Sequence, residues 1–393
     1  MNPMRAERMA ALPVNYFTTL GERISALERD GKHVIRLDIG SPDFSPPEDV
    51  IGKLQHSAAE STSHGYQPHH GIPVLRRAWA AYYQEWHNVK LDPERQVLPL
   101  IGSKEGIFHL SLVLVDPGQG VLVPDPGYQT YAAGARFCGG DPIPISCQSA
   151  GGFVRSLKQL PAHVLAQTKL LWVNFPHNPT GATADVHHLQ EILDLAWEHD
   201  ILVCHDGAYT QVTYDDYAAP SLMELEGATD TCIEFNSLSK SHNMAGWRMG
   251  VVVGQPGVLD ALYRLKTHAD SGQFLPMMKG AVTALRSREH WVKERNRRYR
   301  ARRDLVLEGL NAAGIEAAVP RGGIYVWFPV PDRLTSEEWA RALLETVQVS
   351  LTPGTVFGAG GEGYLRLSLT SSLDTLGEGM DRLRSGLTHM RQA

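Results

Sequence analysis

Residues 237–250, SLSKSHNMAGWRMG, place a lysine among small and hydroxyl side chains directly after an apolar run, with an arginine eight residues later. A lysine amine can form a Schiff base with an aldehyde cofactor. Lys240 is therefore the candidate nucleophile. Ser237 and Arg248 are candidates for holding a phosphate, because a guanidinium binds phosphate oxygens in a bidentate fork. Taken alone, such a lysine is a solvated surface charge.

It does not stand alone. DILVCHDGAY (200–209) sets Asp206 at the end of an apolar run, with Tyr209 three residues on. A carboxylate there can hold a pyridinium nitrogen protonated, as pyridoxal phosphate requires to act as an electron sink. Tyr209 could donate to the phenolic oxygen of that ring. The competing reading of Asp206 is a helix N-cap. NFPHNPTG (174–181) is a turn rich in Pro, Asn and Gly, from which Asn178 could reach the same oxygen. IGSKEG (101–106) opens a helical pattern, and backbone amides at a helix N-terminus bind phosphate, with Ser103 and Lys104 adding a hydroxyl and a charge. PDPGYQTY (124–131) supplies Tyr128, whose face could stack on a cofactor ring. YLRLSL (364–369) places Arg366 among apolar neighbours, where it needs a carboxylate from a substrate or from the protein.

Positioning these groups requires a frame. GVLVPDP (120–126), KLLWVNFP (169–176), DILVCHD (200–206), TCIEFNS (231–237) and RMGVVVG (248–254) read as buried strands. Their near-continuous apolar character predicts a sheet covered on both faces. HHLQEILDLAWEHD (187–200) reads as a helix between two of them. Strand–helix alternation argues an α/β domain with a mostly parallel sheet. In such sheets ligands bind at the carboxyl ends of the strands, where most of the polar candidates fall. Past about residue 285 the pattern changes. Residues 287–314 read as one long helix ended by glycine, then strands at 324–330 and 364–369 flank a helix over 336–345. That is a second, smaller α+β domain. DIGSPDFSPP (38–47) reads as a linker, so 41–285 forms the large domain and 1–40 with 286–393 the small one.

The bulk numbers narrow the class. A chain of 393 residues with 43% hydrophobic and 20% charged residues is globular and long enough for about two domains. A formal charge of −6 argues against nucleic acid as a partner. No apolar run approaches the roughly 20 residues of a membrane span, and the N-terminus lacks the apolar segment of a secretory signal. Four dispersed cysteines without CxxC spacing predict reduced thiols in the cytoplasm and no metal site.

The ordered set SKEG, PDPGY, NPTG, DGAY, SLSK…R and a late arginine resembles the fold-type I, pyridoxal phosphate-dependent class I/II aminotransferases, over nearly the whole chain from DIGSPDF to YLRLSL. The resemblance implies a homodimer with shared active sites and a cofactor, pyridoxal 5'-phosphate. It implies that Lys240 is the Schiff-base lysine and proton shuttle, that Asp206 pairs with the pyridinium, and that Tyr209 and Asn178 donate to the ring oxygen. Tyr128 would stack on the ring, and Ser103, Lys104, Ser237 and Arg248 would form the phosphate cup. Arg366 would clamp the α-carboxylate, with Asn178 and the backbone of Gly40 also touching substrate. Tyr66, in HGYQP, would reach the phosphate of the neighbouring subunit. VLPLIGSKEGI, VLVPDPGYQTY, EFNSLSKSHNMAGWRMG and HADSGQF are similar to the LL-diaminopimelate aminotransferase group in particular. The chain departs from that group at three places. Asn15 stands before Phe17 where the group has a tyrosine, His69 and His70 fall where it has an acidic residue, and Leu275 to Met278 are apolar. An acidic residue suits a distal ammonium, whereas histidine suits a distal carboxylate or a neutral group.

The expected reaction moves an amino group between an L-amino acid and a 2-oxo acid. The donor is expected among diaminopimelate, aspartate, alanine or a related amino acid, and 2-oxoglutarate or pyruvate is the expected acceptor. The same first residues would serve a C–S β-lyase or an amino-acid oxidase, so the alternative is a change of chemistry on one fold. A regulator with an appended DNA-binding domain is not expected, since only about 40 residues precede the core-like region. RNRRYRARR (295–303) falls on the long helix and reads as a solvated, salt-bridged face. The glycines near 359–364 lack the strand–GxGxxG–helix context of a dinucleotide site.

Overall fold

The computed structural model describes residues 6–12, 14–286, 289–331 and 334–392. Twelve strands are described in chain order: β1 (Ile35–Arg36), β2 (Val97–Ile101), β3 (Gly120–Asp125), β4 (Asp141–Ser146), β5 (Thr168–Val173), β6 (Leu202–Asp206), β7 (Ile233–Ser237), β8 (Met249–Gly254), β9 (Tyr325–Pro329), β10 (Val349–Ser350), β11 (Thr352–Pro353) and β12 (Tyr364–Ser368).

Seven of them form one sheet in the order β2-β8-β7-β6-β5-β3-β4. The pairs among β3 to β7 are parallel, and β8 runs antiparallel to both β7 and β2. The reason is local. Only residues 238–248 separate β7 from β8, too few for the crossover helix that a parallel return requires. Successive residues in a strand face opposite sides, and the burial follows that period. Leu122, Leu171, Val173, Val203, Val251 and Val253 pack into one core. Val121, Val123, Leu170, Trp172, Cys204, Phe235 and Val252 pack into another. A sheet sandwiched in this way gives near-continuous apolar strands.

A third core forms around the long helix Glu289–Ala312, the helices Ser336–Val347 and Leu373–Gln392, and the antiparallel sheet β11-β12-β9. The first two residues of the expected 287–314 helix lie outside the described residues. The chain's beginning joins this core. β1 pairs in parallel with β10, and Leu20 and Ile24 of the helix Tyr16–Arg29 pack on Leu344. Arg302 of the long helix closes on the segment that follows, donating to both carboxylate oxygens of Asp43 at 2.7 Å. Among the described residues no helix is long and apolar enough to cross a membrane.

Candidate active site

The strand ends of the seven-stranded sheet and the β11-β12-β9 sheet flank a cavity of about 470 Å³. Gly40, Ser103, Tyr128, Asn178, Asp206, Tyr209, Lys240 and Arg366 all line it. These residues come from seven separate segments of chain, so the fold brings together what the sequence scatters.

Lys240 sits on the short helix Leu238–Ser241, immediately after β7. Its ammonium donates to the carbonyl of Gly40. Burial, with the nearby charges of Arg366 and Arg248, lowers its pKa, opposed by Tyr325 and Asp206. A depressed lysine pKa makes a neutral, nucleophilic amine available closer to neutral pH. Gly40 is pinned on its other side, because a Cβ there would lie 1.8 Å from the Tyr325 hydroxyl.

Asp206 ends β6. Its Oδ2 accepts a 2.8 Å bond from Tyr131, and its backbone carbonyl accepts from the Asn174 amide at 2.6 Å. Its Oδ1 is buried and has no side-chain or backbone hydrogen-bond partner among the described residues. Burial raises its pKa against the lowering effects of Tyr131 and His205. A buried carboxylate oxygen without a donor is costly unless something supplies one. The protonated ring nitrogen of pyridoxal phosphate is such a donor. The rest of the set fits that group too. Asn174 Oδ1 accepts from the Asn178 N–H at 2.9 Å and so fixes the backbone from which the Asn178 side chain reaches the cavity. The Tyr209 hydroxyl lies 3.3 Å from that of Tyr325. Tyr128 caps the helix Gln129–Phe137, with burial raising its hydroxyl pKa to about 12.

A phosphate cradle lies at one end. The helix Ser103–Leu114 begins after Gly102, whose φ of 71° is left-handed. A Cβ on Gly102 would meet the Arg248 guanidinium at 2.3 Å, and one on Gly250 would meet the Ser103 amide at 2.5 Å. Both glycines thus let the guanidinium and the helix N-terminus close on one spot. Ser237 Oγ is buried beside them, accepting from the Ser239 N–H at 3.2 Å. Four expected residues are not part of the cavity lining. Lys104 is exposed, so only its first-turn N–H faces the cradle's end of the helix. Ser237 is buried and Arg248 is exposed, its Nη1 donating to the Ala245 carbonyl at 2.9 Å. Tyr66 is 96% exposed on the surface of this chain.

Arg366 is 3% exposed. Its Nη1 donates to Asn178 Oδ1 at 2.8 Å and its Nη2 to the Asp38 carbonyl at 3.0 Å, while its Nε has no partner. The guanidinium lies 4.0 Å from the Tyr325 ring centroid and 4.4 Å from that of Phe357. Among the described residues no protein carboxylate pairs with it, so the ion-pair reading of this arginine has no partner to name.

Several residues of the site were not singled out in the sequence. Tyr325 touches Tyr209, Arg366 and Gly40; burial pushes its pKa up, but the charges of Arg366 and Lys240 and the Tyr209 hydrogen bond draw it down on balance. Tyr131 and Asn174 orient Asp206. Behind Asp206, on the opposite face of β6, His205 bonds Glu234 at 2.7 Å and the Phe175 carbonyl at 3.2 Å. Glu234 also accepts from Tyr83, Ser221 and the Leu222 N–H. The three departures from the diaminopimelate group fall in different places. Phe17 lines the cavity and Asn15 caps its helix, accepting from the Phe17 N–H. His70 packs on Tyr263 with 3.6 Å between ring centroids, outside the cavity.

Residues 32–383 match the family model described as aminotransferase class I and II. An LL-diaminopimelate aminotransferase of Moorella thermoacetica is 42% identical over 96% of this chain and 97% of its own length. One of Desulforudis audaxviator is 42% identical over 98% and 99%. Among solved structures, substrate-bound BacF of Bacillus subtilis superposes with a TM-score of 0.93 at 30% identity, covering 97% of each chain. A probable N-succinyldiaminopimelate aminotransferase of Thermus thermophilus superposes with a TM-score of 0.88 at 34% identity, over 94% of this chain and 99% of the other.

Proposed function

Because the chain belongs to the class I and II aminotransferases, we propose that the residues around Lys240 carry out transamination in two half-reactions on diaminopimelate, aspartate, alanine or a related amino acid. The protein is a pyridoxal phosphate-dependent transaminase, moving an amino group between an L-amino acid and a 2-oxo acid. When bound, pyridoxal phosphate supplies the electron sink that makes the Cα–H bond of an amino acid acidic.

The chain's own residues do the rest. Arg366 grips the α-carboxylate with its unpartnered Nε, and Asn178 supports the grip from beside it. That fixes the Cα–H bond toward Lys240, whose amine takes the proton from Cα as a general base. Asp206 would hold its negative charge against the cofactor's ring nitrogen. Tyr209 and the Asn178 amide would hold the ring oxygen, Tyr128 would cover the ring face, and Gly102, Ser103, Ser237 and Arg248 would anchor the phosphate. A second oxo acid, 2-oxoglutarate or pyruvate, then takes up the amino group by the reverse steps.

The observation that carries this reading is the orphaned Asp206 Oδ1 in the same cavity as the Lys240 amine. Diaminopimelate as substrate draws support from the curated relatives at 37–42% identity that bear that name. A homodimer with shared sites draws support from Tyr66, an aromatic residue 96% exposed on this chain. Four free thiols support a reducing cytoplasmic setting. The units are a large domain of residues 41–285 and a small one of 1–40 with 286–393.

The test is an absorbance spectrum of wild type and Lys240→Ala after pyridoxal phosphate is added, followed by amino-acid titration of the wild type. The wild type should be yellow, and its best donor should bleach it fastest. A colourless wild type, or borohydride trapping at another lysine, would overturn the assignment.

A further inference from the structure

The cavity holds one cation that this mechanism does not use. Its lining cations are Lys240, Arg366 and Arg36. Arg36 lies in β1, and Asp38 follows two residues later where the chain bends, so the two side chains meet while Leu37 between them is fully buried in the core around the long helix. Arg36 Nε donates to Asp38 Oδ1 at 2.9 Å and Nη2 to Oδ2 at 2.8 Å. The Asp38 side chain is fully enclosed, whereas that of Arg36 is 31% exposed. The fork is therefore held rigidly from behind. Its Nη1 donates to nothing among the described residues. A bidentate pair of this kind removes much of the entropy that an arginine loses on gripping a ligand. It also keeps the guanidinium charged, since the Asp38 hydrogen bond raises the Arg36 pKa against burial.

Asp38 organises both guanidinia. Its carboxylate holds Arg36, and its backbone carbonyl accepts from Arg366 Nη2 at 3.0 Å and from Thr352 Oγ1 at 3.3 Å. One residue thus sets the separation between the α-carboxylate clamp and a second anion-binding group in the same cavity. We propose that Arg36, positioned by Asp38, reads the distal carboxylate of a dicarboxylic substrate and makes this chain select amino and oxo acids that carry one. The proposal rests on the transaminase reading above and deepens it. The substrate class is defined by two carboxylates, one for each arginine. The Asp38 carboxylate is enclosed and occupied, so this pair does not read a distal ammonium.

The experiment compares wild type, Arg36→Gln, Arg36→Lys and Asp38→Asn, each loaded with cofactor. The readout is the ratio of kcat/KM for glutamate to that for alanine. Loss of one charge-assisted contact should lower that ratio about ten- to a hundred-fold in Arg36→Gln. Arg36→Lys, which keeps the charge without the fork, should fall between. Asp38→Asn should act mainly through the KM for glutamate, as expected of a positioning residue. A second measurement needs no turnover: calorimetric titration with glutarate and with butyrate. Wild type should prefer glutarate, and Arg36→Gln should lose most of that preference. A ratio that stays unchanged in Arg36→Gln, even where all activity falls, would show a purely structural ion pair and overturn the proposal. So would a wild type that binds glutarate no better than butyrate. A wild type that no donor bleaches would instead defeat the transaminase reading, and the calorimetry would still decide the role of Arg36.

Discussion

Asp206 concentrates the site's electrostatics in one side chain. It is buried, it has one donor in Tyr131, and its other oxygen is left without one. Asp206→Asn keeps the shape and removes the charge. The cofactor's ring nitrogen then has nothing to keep it protonated, and kcat of the fully loaded enzyme should fall on the order of a hundred-fold or more. Near-normal turnover in that variant would remove Asp206 from the mechanism. Tyr131→Phe is subtler. The Tyr131 hydrogen bond lowers the Asp206 pKa, so its loss lets burial raise that pKa further. The carboxylate then protonates at higher pH, and the acid limb of the kcat profile should move to higher pH. An unmoved or down-shifted limb would show that Asp206 does not control it. Lys240 shifts the other way. Its lowered pKa makes the free amine available below the usual lysine range, so the amine's loss of nucleophilicity comes only at lower pH.

At the scale of elements, the strand ends do the positioning, and much of that was legible. β3, β6, β7 and β8 fall within the apolar runs read from the sequence and β5 starts one residue before its own, and polar residues at or shortly after the ends of β3, β5, β6 and β7 line the cavity. Other parts carried weaker signals. β4, DPIPIS, is an edge strand with two prolines and few buried residues, so it lacks the apolar run of a central strand. β1, β10 and β11 are two residues each, too short for any period to show. Tyr325 opens an apolar strand and reads as core, because its role depends on Gly40 and Arg366 arriving from distant chain. Arg36 is masked in the same way, by sitting in a two-residue strand.

The His205–Glu234 pair was also hidden, being formed across adjacent strands, and it carries a stability prediction. Burial would push His205 down, but the Glu234 hydrogen bond and charge raise it on balance. Burial would push Glu234 up, but His205 lowers it on balance. The lowered carboxyl contributes stability above its ordinary value of 4.5, lost as pH falls through the folded value. The raised imidazole contributes below its ordinary value of 6.5, lost as pH rises through the folded value. Both contributions are full only between 4.5 and 6.5. Glu234→Gln leaves a buried imidazole short of its partner, a loss of about 3–5 kcal/mol. The gap in Tm between wild type and variant should therefore be widest in that window and narrow on both sides. A gap that is flat with pH would mean the pair is not ionised.

For the whole molecule, the open question is whether one chain completes its own site. Within this chain Tyr66 is 96% exposed and outside the cavity lining, so a phosphate contact from it must be made to another copy. Two defective variants distinguish the arrangements. Lys240→Ala destroys the site on its own chain. Tyr66→Ala, if Tyr66 serves the partner, damages the site on the other chain. When the two are mixed and allowed to exchange subunits, half the dimers are mixed at equal amounts. In each mixed dimer one site combines an intact Lys240 with an intact Tyr66 donated by the Lys240→Ala chain, and the other site carries both lesions. Activity should then rise to about a quarter of wild type. If Tyr66 served its own chain, every site in every dimer would carry one lesion or the other. Mixing would then give only the average of the two parents. The experiment needs no knowledge of the true substrate, since any donor that bleaches the wild type reports it. It also separates a dimer that merely packs from one whose halves cannot function apart.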